Sequence, residues 1–481
     1  MFDLRPVLYI VGLLVFVLGT TMLIPTSLDI IDGNGNWFGF FGAFFVTVGI
    51  GGGSAWYFRH SEKRLNIQQT FILTTGIWLV LPLFAALPFI FGAPSASVTN
   101  AVFEAMSGLT TTGATVFEGL ESLPRGTLLW RGMLQWFGGI GVVVVAMVFL
   151  PVLRVGGMQI FRSEGFDTMG KILPRAAEIS RSISQIYFVL TFVCFVAYSM
   201  AGLNVFDALV HSMTTIATGG FANYDDSYAS FSGSVEYVAS AFMILAALPF
   251  VRYIQLVSGA PIAIWKDTQV RGFLTVLVVT VLILSIWRWA FVSADVEFAI
   301  RKALFNGISI LTGTGFASDN YMLWGAFPVT VMFLIGLIGG CAGSTTCSIK
   351  IFRFQLLFAS ISTQIKRIHS PSGIFEPRYA GRRVEEDVIS SVMAFFMMFL
   401  ISLSVVAVLL SFSGLDFITS ISGAVAALAN IGPGLGDTIG PSGNYASLNG
   451  FAKWVLAIAM LIGRLELMAV FVLLTATFWR G

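Results

Sequence analysis

Charge is what this sequence has least of. Only 11% of its 481 residues are Asp, Glu, Lys or Arg, with a formal net charge of +2. With a hydrophobic fraction of 56% and a mean hydropathy of +0.87, a chain this poor in charge has more apolar surface than a soluble core could hide. Lipid is therefore the expected solvent. Basic runs interleaved with aromatics are also missing, which argues against nucleic acid as a partner. Cysteine is scarce: Cys194, Cys341 and Cys347 lie in apolar or glycine-rich stretches without a Cys-x-x-Cys pair. They read as small buried hydrophobes and not as a disulfide framework or metal site. Among three histidines, His211 reads as a hydrogen-bonded packing residue. HExxH, Walker and GxSxG motifs are absent, so neither an enzyme nor a bound organic cofactor is expected.

Long apolar runs are abundant. Ten stretches have the length of a membrane span, near 7–30, 37–58, 70–91, 128–153, 183–203, 235–257, 272–292, 323–349, 388–412 and 451–478. The first follows Arg5 like a signal peptide, but MLIPTSLDI offers no small-residue cleavage site, so it is expected to be a retained span. The joins after the second, fourth, sixth and eighth spans carry Arg59, Lys63 and Arg64; Arg154, Arg162, Lys171, Arg175 and Arg181; Lys266 and Arg271; and Lys350, Arg353, Lys366, Arg367, Arg378, Arg382 and Arg383. Positive charge marks the cytoplasmic side, which puts both termini there. The opposite joins hold Arg125, Arg301 and Lys302 but many acids, including Glu104, Glu118, Asp207, Asp225, Asp319 and Asp437. An acidic outer face concentrates cations, although ordinary solvated loops would look the same.

Each outer join also contains an apolar stretch of about 10–13 residues, too short to span and therefore re-entrant. Four similar segments result: VFEAMSGLTTTGATVF, LVHSMTTIATGGFANY, LFNGISILTGTGFASD and AVAALANIGPGLGDTI. Aligned on Gly113, Gly219, Gly315 and Gly432, they recur at intervals of about 100 residues. The predicted fold is thus an all-α polytopic membrane protein with ten spans. Its parts are an N-terminal hairpin (1–60), pore repeats at 61–155, 156–260, 261–350 and 388–481, and a cytoplasmic linker (351–387).

Glycine permits backbone angles that a Cβ forbids, so strands of this kind can turn carbonyls toward an axis and replace a cation's hydration shell. Threonine hydroxyls can add acceptors, and each short helix directs about half a negative charge from its carboxyl end toward the axis. The candidate filter residues are Thr111, Thr112 and Gly113; Ala217, Thr218, Gly219 and Gly220; Gly313, Thr314 and Gly315; and Asn430, Ile431 and Gly432. In this alignment Ile431 stands where the other tips have Thr112, Thr218 and Thr314. Close packing of small residues accounts better for Gly138, Gly139 and Gly141 than for the four tips.

The eighth span is interrupted by Gly336, Gly339, Gly340, Gly343, Ser344, Thr345 and Thr346. Each glycine costs a helix about 1 kcal/mol relative to alanine, so a broken helix is expected, with a tightly packed kink as the alternative. Arg464 falls in mid-span, where an arginine costs roughly 2.5–3.5 kcal/mol, and should face a pore or a protein group. Glu466, two residues on, would point to a different helix face. Arg252 and Lys453 are expected to snorkel to the interface.

The tips TTTGAT, ATGGFA, TGTGFA and NIGPGL, with GGCAGSTTCSIKIFR after the third, resemble the TrkH/TrkG/KtrB/HKT superfamily of potassium transporters over essentially the whole chain. The extra N-terminal hairpin resembles its TrkH and TrkG branch. The resemblance implies potassium as the transported ligand, since all four aligned tip residues are glycine. It also implies a gate: the loop Gly339, Gly340, Gly343, Ser344, Thr345 and Thr346 would obstruct the pore beneath the filter, with Arg464 beside it. It further implies a homodimer in the bacterial cytoplasmic (inner) membrane, regulated by a TrkA-like cytosolic nucleotide-binding subunit. Gated, channel-like potassium uptake is the expected function. Secondary transport coupled to a proton or sodium ion is the alternative, and no intramembrane carboxylate relay is evident for it.

Overall fold

The computed structural model of the chain describes residues 3–60, 65–148, 176–260 and 262–480. Lys63, Arg64, Arg154, Arg162, Lys171 and Arg175, counted among the basic joins, lie outside the described residues, as does the end of the fourth expected span.

Among the described residues six helices are long and apolar enough to cross a bilayer: Arg5–Ile31, Trp37–Tyr57, Ile67–Phe91, Ser180–Met200, Thr268–Phe291 and Glu386–Phe412. Between 28% and 39% of their apolar windows is buried inside the protein. Side chains such as Phe45, Val193, Leu282 and Leu400 are about half exposed, which fits a surface solvated by lipid and not by water. The first two of these helices pack closely through glycine. A Cβ on Gly12 or Gly19 would lie within 3.0 Å of Ser54 or Val48 on the facing helix.

Three expected spans are not single helices. Residues 235–257 form Gly233–Ala246 and Phe250–Val257, bent by 89° at a break that holds Pro249, which cannot donate an N–H and disfavours helix in the residue before it. Residues 323–349 contain the helix Ala326–Gly336, after which Ile338–Gly339 pairs in parallel with Ile349–Lys350 around an irregular loop. Residues 451–478 break after the helix Gly450–Arg464, where Glu466 and Leu467 take positive φ, and resume as Met468–Leu473.

The stretch expected as a linker is structured. Helix Ile351–His369 buries Ile351, Phe352 and Leu356 while Phe358, Ile365 and Ile368 stay exposed, and a two-residue hairpin pairs Arg378–Tyr379 with Arg382–Arg383.

Four short helices, Val98–Leu109, Val205–Ile216, Val296–Leu311 and Phe417–Ala429, lie inside the helical shell with most of their residues buried. Each begins on a capping side chain. Ser97, Asn204, Asp295 and Asp416 accept backbone N–H bonds from the first turn, a contribution of about 1 kcal/mol each.

Candidate functional site

The short helices end alike. In each, one residue after the last turn bonds back three positions: Thr111 N–H to Gly108 O, Thr218 to Thr215, Gly313 to Ile310 and Asn430 to Ala427. The next residue bonds back five: Thr112 N–H to Ser107 O, Gly219 to Thr214, Thr314 to Ser309 and Ile431 to Ala426, at 2.8–3.0 Å. This register corrects the sequence alignment by one position in the second tip. Gly220, not Gly219, matches Gly113, Gly315 and Gly432, and Gly219 matches Thr112. Ile431 is therefore not the single departure from threonine in that row, because Gly219 is another. Ala217 caps the second short helix one residue before the turn.

Two residues of each tip share the left-handed region. Thr111, Thr218, Gly313 and Asn430 have φ of 51°, 49°, 72° and 51°, and Gly113, Gly220, Gly315 and Gly432 have 85°, 82°, 85° and 94°. Such a conformation costs a non-glycine residue on the order of 1–3 kcal/mol, so the buried surroundings of Thr111, Thr218 and Asn430 must hold it in place. The second position needs glycine for a further reason. A Cβ on Gly113 would strike the carbonyl oxygen of Gly219; on Gly220, that of Thr314; on Gly315, that of Ile431; and on Gly432, that of Thr112. Each tip thus backs onto the next, and the fourth returns to the first. The hydroxyl of Thr112 lies 2.7 Å from that of Thr110 and accepts from Asn430 Nδ2 at 2.9 Å; that of Thr314 lies 2.8 Å from Thr312. Thr218 Oγ1 donates to Ala217 O at 2.8 Å.

Of the three glycines read as packing residues, Gly138 and Gly139 behave as such, whereas a Cβ on Gly141 would make only ordinary contact with Trp78. Gly138 faces Leu109 O and Gly139 faces Tyr187 Oη and Ala217 so closely that a Cβ on either would collide.

Above the tips opens a polar cavity of about 290 Å³, lined by Gly113, Gly220, Gly315 and Gly432 together with Glu118 and Asp225. At its rim Tyr224 donates to Asp207 Oδ2 at 2.8 Å. Burial, then this hydrogen bond and the nearby carboxylates, push the phenol up to about 12, so it remains a donor at any ordinary pH.

Below the tips lies the loop of the broken eighth span. Gly340 O accepts from Ile351 N–H, Gly343 O accepts from Phe250 N–H at 2.9 Å, and Thr345 Oγ1 donates to Ala246 O at 3.1 Å. Ser344 and Thr346 hydroxyls are 2.7 Å apart, and a Cβ on Gly339 would strike Cys347 O. Arg464, 4% exposed, reaches the loop by donating from Nη1 to Cys347 Sγ, while its Nη2 donates to Gly138 O at 3.2 Å. Cys347 Sγ also lies 3.8 Å from Thr111 Oγ1, so a thiol joins the loop to the first tip.

In the sequence Cys347 reads as a small buried hydrophobe; only the fold brings it between Arg464 and Thr111. Lys350, on the strand that closes the loop, donates to Thr346 O and was read as one more cytoplasmic charge. Glu466 does pair with a buried arginine, but with Arg353 and not Arg464. Lys453 does not snorkel: it is 5% exposed and donates to Asn100 Oδ1 and Ala446 O. Arg252 pairs with Asp267 at 2.6 Å. Glu104 and Asp207, read as outer acids, are buried beside the tips.

A lipid-facing helical scaffold that gathers four backbone turns between a polar mouth and a buried loop is that of a membrane transport protein. The family model described as cation transport protein, TrkH, matches residues 37–479. The chain is 41% identical to the Trk system potassium uptake protein TrkI of Halomonas elongata, with 99% of this chain and 97% of that protein aligned. It is 37% identical to the Trk system potassium uptake protein TrkH of Escherichia coli, with 99% of each covered. The crystal structure of the potassium transporter TrkH from Vibrio parahaemolyticus superposes with a TM-score of 0.92 over 100% of both chains at 34% identity. The chain belongs to the TrkH family of cation transport proteins, a family of transporters and not of enzymes.

Proposed function

We propose that this protein takes up potassium across the bacterial cytoplasmic membrane through one pore formed by the four tips. The observation that carries this reading is the cycle of tip contacts, in which Gly113, Gly220, Gly315 and Gly432, with φ of 82–94°, each back onto the next tip's carbonyl. Backbone held this closely at membrane depth is tolerated where it lines a water-filled path. Its carbonyl oxygens are the ligands that replace a potassium hydration shell. The carboxyl ends of the four short helices add a field that favours a cation on the axis. The names of the relatives, potassium uptake proteins, support the choice of ion.

In this reading the chain has ten membrane segments, three of them broken, arranged as four helix–re-entrant loop–helix units behind an N-terminal hairpin. The loop Gly339–Thr346 is the gate. Arg464 holds it closed through Cys347 and places a positive charge under the filter. Both termini are cytoplasmic, and helix Ile351–His369 with its hairpin forms the surface where a TrkA-like nucleotide-binding subunit docks on a homodimer. Uptake of rubidium into proteoliposomes of the purified chain should exceed sodium uptake severalfold under the same gradient; equal rates would refute potassium selection.

Buried Asp207, whose backbone carbonyl lies 2.9 Å from His211 Nδ1, gives the coupled-transport reading a foothold. A reversal potential that shifts with pH at fixed potassium would favour that reading over a channel.

A further inference from the structure

The seams between neighbouring tips are closed in different ways. Between the second and third, Tyr228 N–H bonds Ala317 O at 2.8 Å; between the fourth and first, Tyr445 N–H bonds Thr115 O at 2.8 Å. The seam between the first and second is closed by a buried ion pair. Glu104, on the first short helix and 0% exposed, accepts from Arg131 Nε at 2.8 Å, from Thr115 Oγ1 at 2.9 Å and from Val116 N–H at 2.9 Å. Arg131, 1% exposed on helix Arg125–Val148, donates from Nη1 to Ala222 O at 2.8 Å and from Nη2 to Thr115 Oγ1 at 3.3 Å. Its guanidinium also lies over the Phe221 ring at 4.2 Å. One turn along the same helix face, Gln135 Oε1 accepts from Phe221 N–H at 3.0 Å.

We infer that Arg131, with Glu104 and Thr115, is a positioning and specificity-determining group that sets the spacing between the first and second tips, and so how well the filter distinguishes potassium from sodium. The inference rests on the potassium-filter reading above. Arg131 touches the strand two residues beyond Gly220, and Glu104 touches the strand three residues beyond Gly113. A planar guanidinium with fixed donor directions therefore ties together the two strands on which Gly113 and Gly219 O meet. The group is also charge-neutral as a pair, which separates its effect on spacing from its effect on field. Removing the carboxylate leaves a cation behind the filter, removing the guanidinium leaves an anion, and removing the Thr115 hydroxyl leaves both.

The test uses the full chain and the variants Glu104→Gln, Arg131→Gln and Thr115→Val, each reconstituted from monodisperse protein, with rubidium and sodium uptake measured side by side. Positioning requires the sodium-to-rubidium ratio to rise in all three, by about tenfold in the two charge variants, the ratio produced by a barrier difference of about 1.4 kcal/mol. A purely structural role lowers both fluxes together and leaves the ratio fixed. A purely electrostatic role moves total cation flux in opposite directions in Glu104→Gln and Arg131→Gln, again at fixed ratio. Either result overturns the inference, and Thr115→Val decides it alone if the charge variants do not fold. Intact protein that passes sodium as fast as rubidium overturns the filter reading itself, and the inference with it.

Discussion

The four tips and the loop beneath them are both buried and glycine-rich, yet they are held by different forces. Each tip is fixed mainly from within, by the three-back and five-back hydrogen bonds at the end of its own helix, and then by contact with the next tip's carbonyl. The loop is fixed from outside. Ala246, Ala247 and Ala429 carbonyls, Gln269 and Arg464 hold it, and all five come from elements far away in the chain. Locally bonded backbone resists deformation, whereas an element held by a few long-range contacts loosens more readily when one of them is lost. On the proposed function, the tips would select and the loop would gate.

The largest expected effect breaks the tips. Gly220→Ala and Gly315→Ala put a Cβ into a neighbouring carbonyl and a side chain into the left-handed region, and should lower potassium uptake by about a hundredfold, a barrier change of about 2.7 kcal/mol. Activity close to that of the intact chain would mean that the tips do not touch during transport. Next comes the loop: Arg464→Ala, or deletion of Gly339–Thr346, should raise potassium flux by about tenfold and leave the sodium-to-potassium ratio alone. A changed ratio would erase the distinction between the two regions. Cys347→Ala removes one contact of Arg464 and the link to Thr111 but keeps the charge, so its rise in flux should be smaller than that of Arg464→Ala. The smallest effect is on the scaffold. Asp416→Ala uncaps the fourth short helix and should cost about 1 kcal/mol, read as a modest fall in the unfolding midpoint in detergent.

The tips were legible in the sequence because their chemistry is local: a short apolar helix and a glycine turn are written in consecutive residues. The register of the second was not, since Gly219 and Gly220 are both glycine and only the folded backbone, in its bonds to Thr214 and Thr215 and the positive φ of Gly220, tells them apart. The loop was legible as a break, from glycines that a helix does not tolerate. Its fastening was not, because Cys347 meets Arg464, 117 positions further along the chain. The same limit explains Lys453, whose partner Asn100 lies 353 positions away, and Glu104, which looked like one acid among many in an outer join. Sequence hydropathy located the six helices that are long and apolar enough to cross a bilayer, but not the breaks at Pro249 or after Arg464.

The central claim, a cation path whose selectivity lies in the four tips, is tested most directly by the reversal potential of the purified chain between potassium on one side of a bilayer and sodium on the other, compared with Gly220→Ala. The intact protein should reverse near the potassium equilibrium potential and the variant should lose most of its potassium current or shift toward zero. Reversal near zero in the intact protein, or an unshifted, undiminished current in Gly220→Ala, would contradict it.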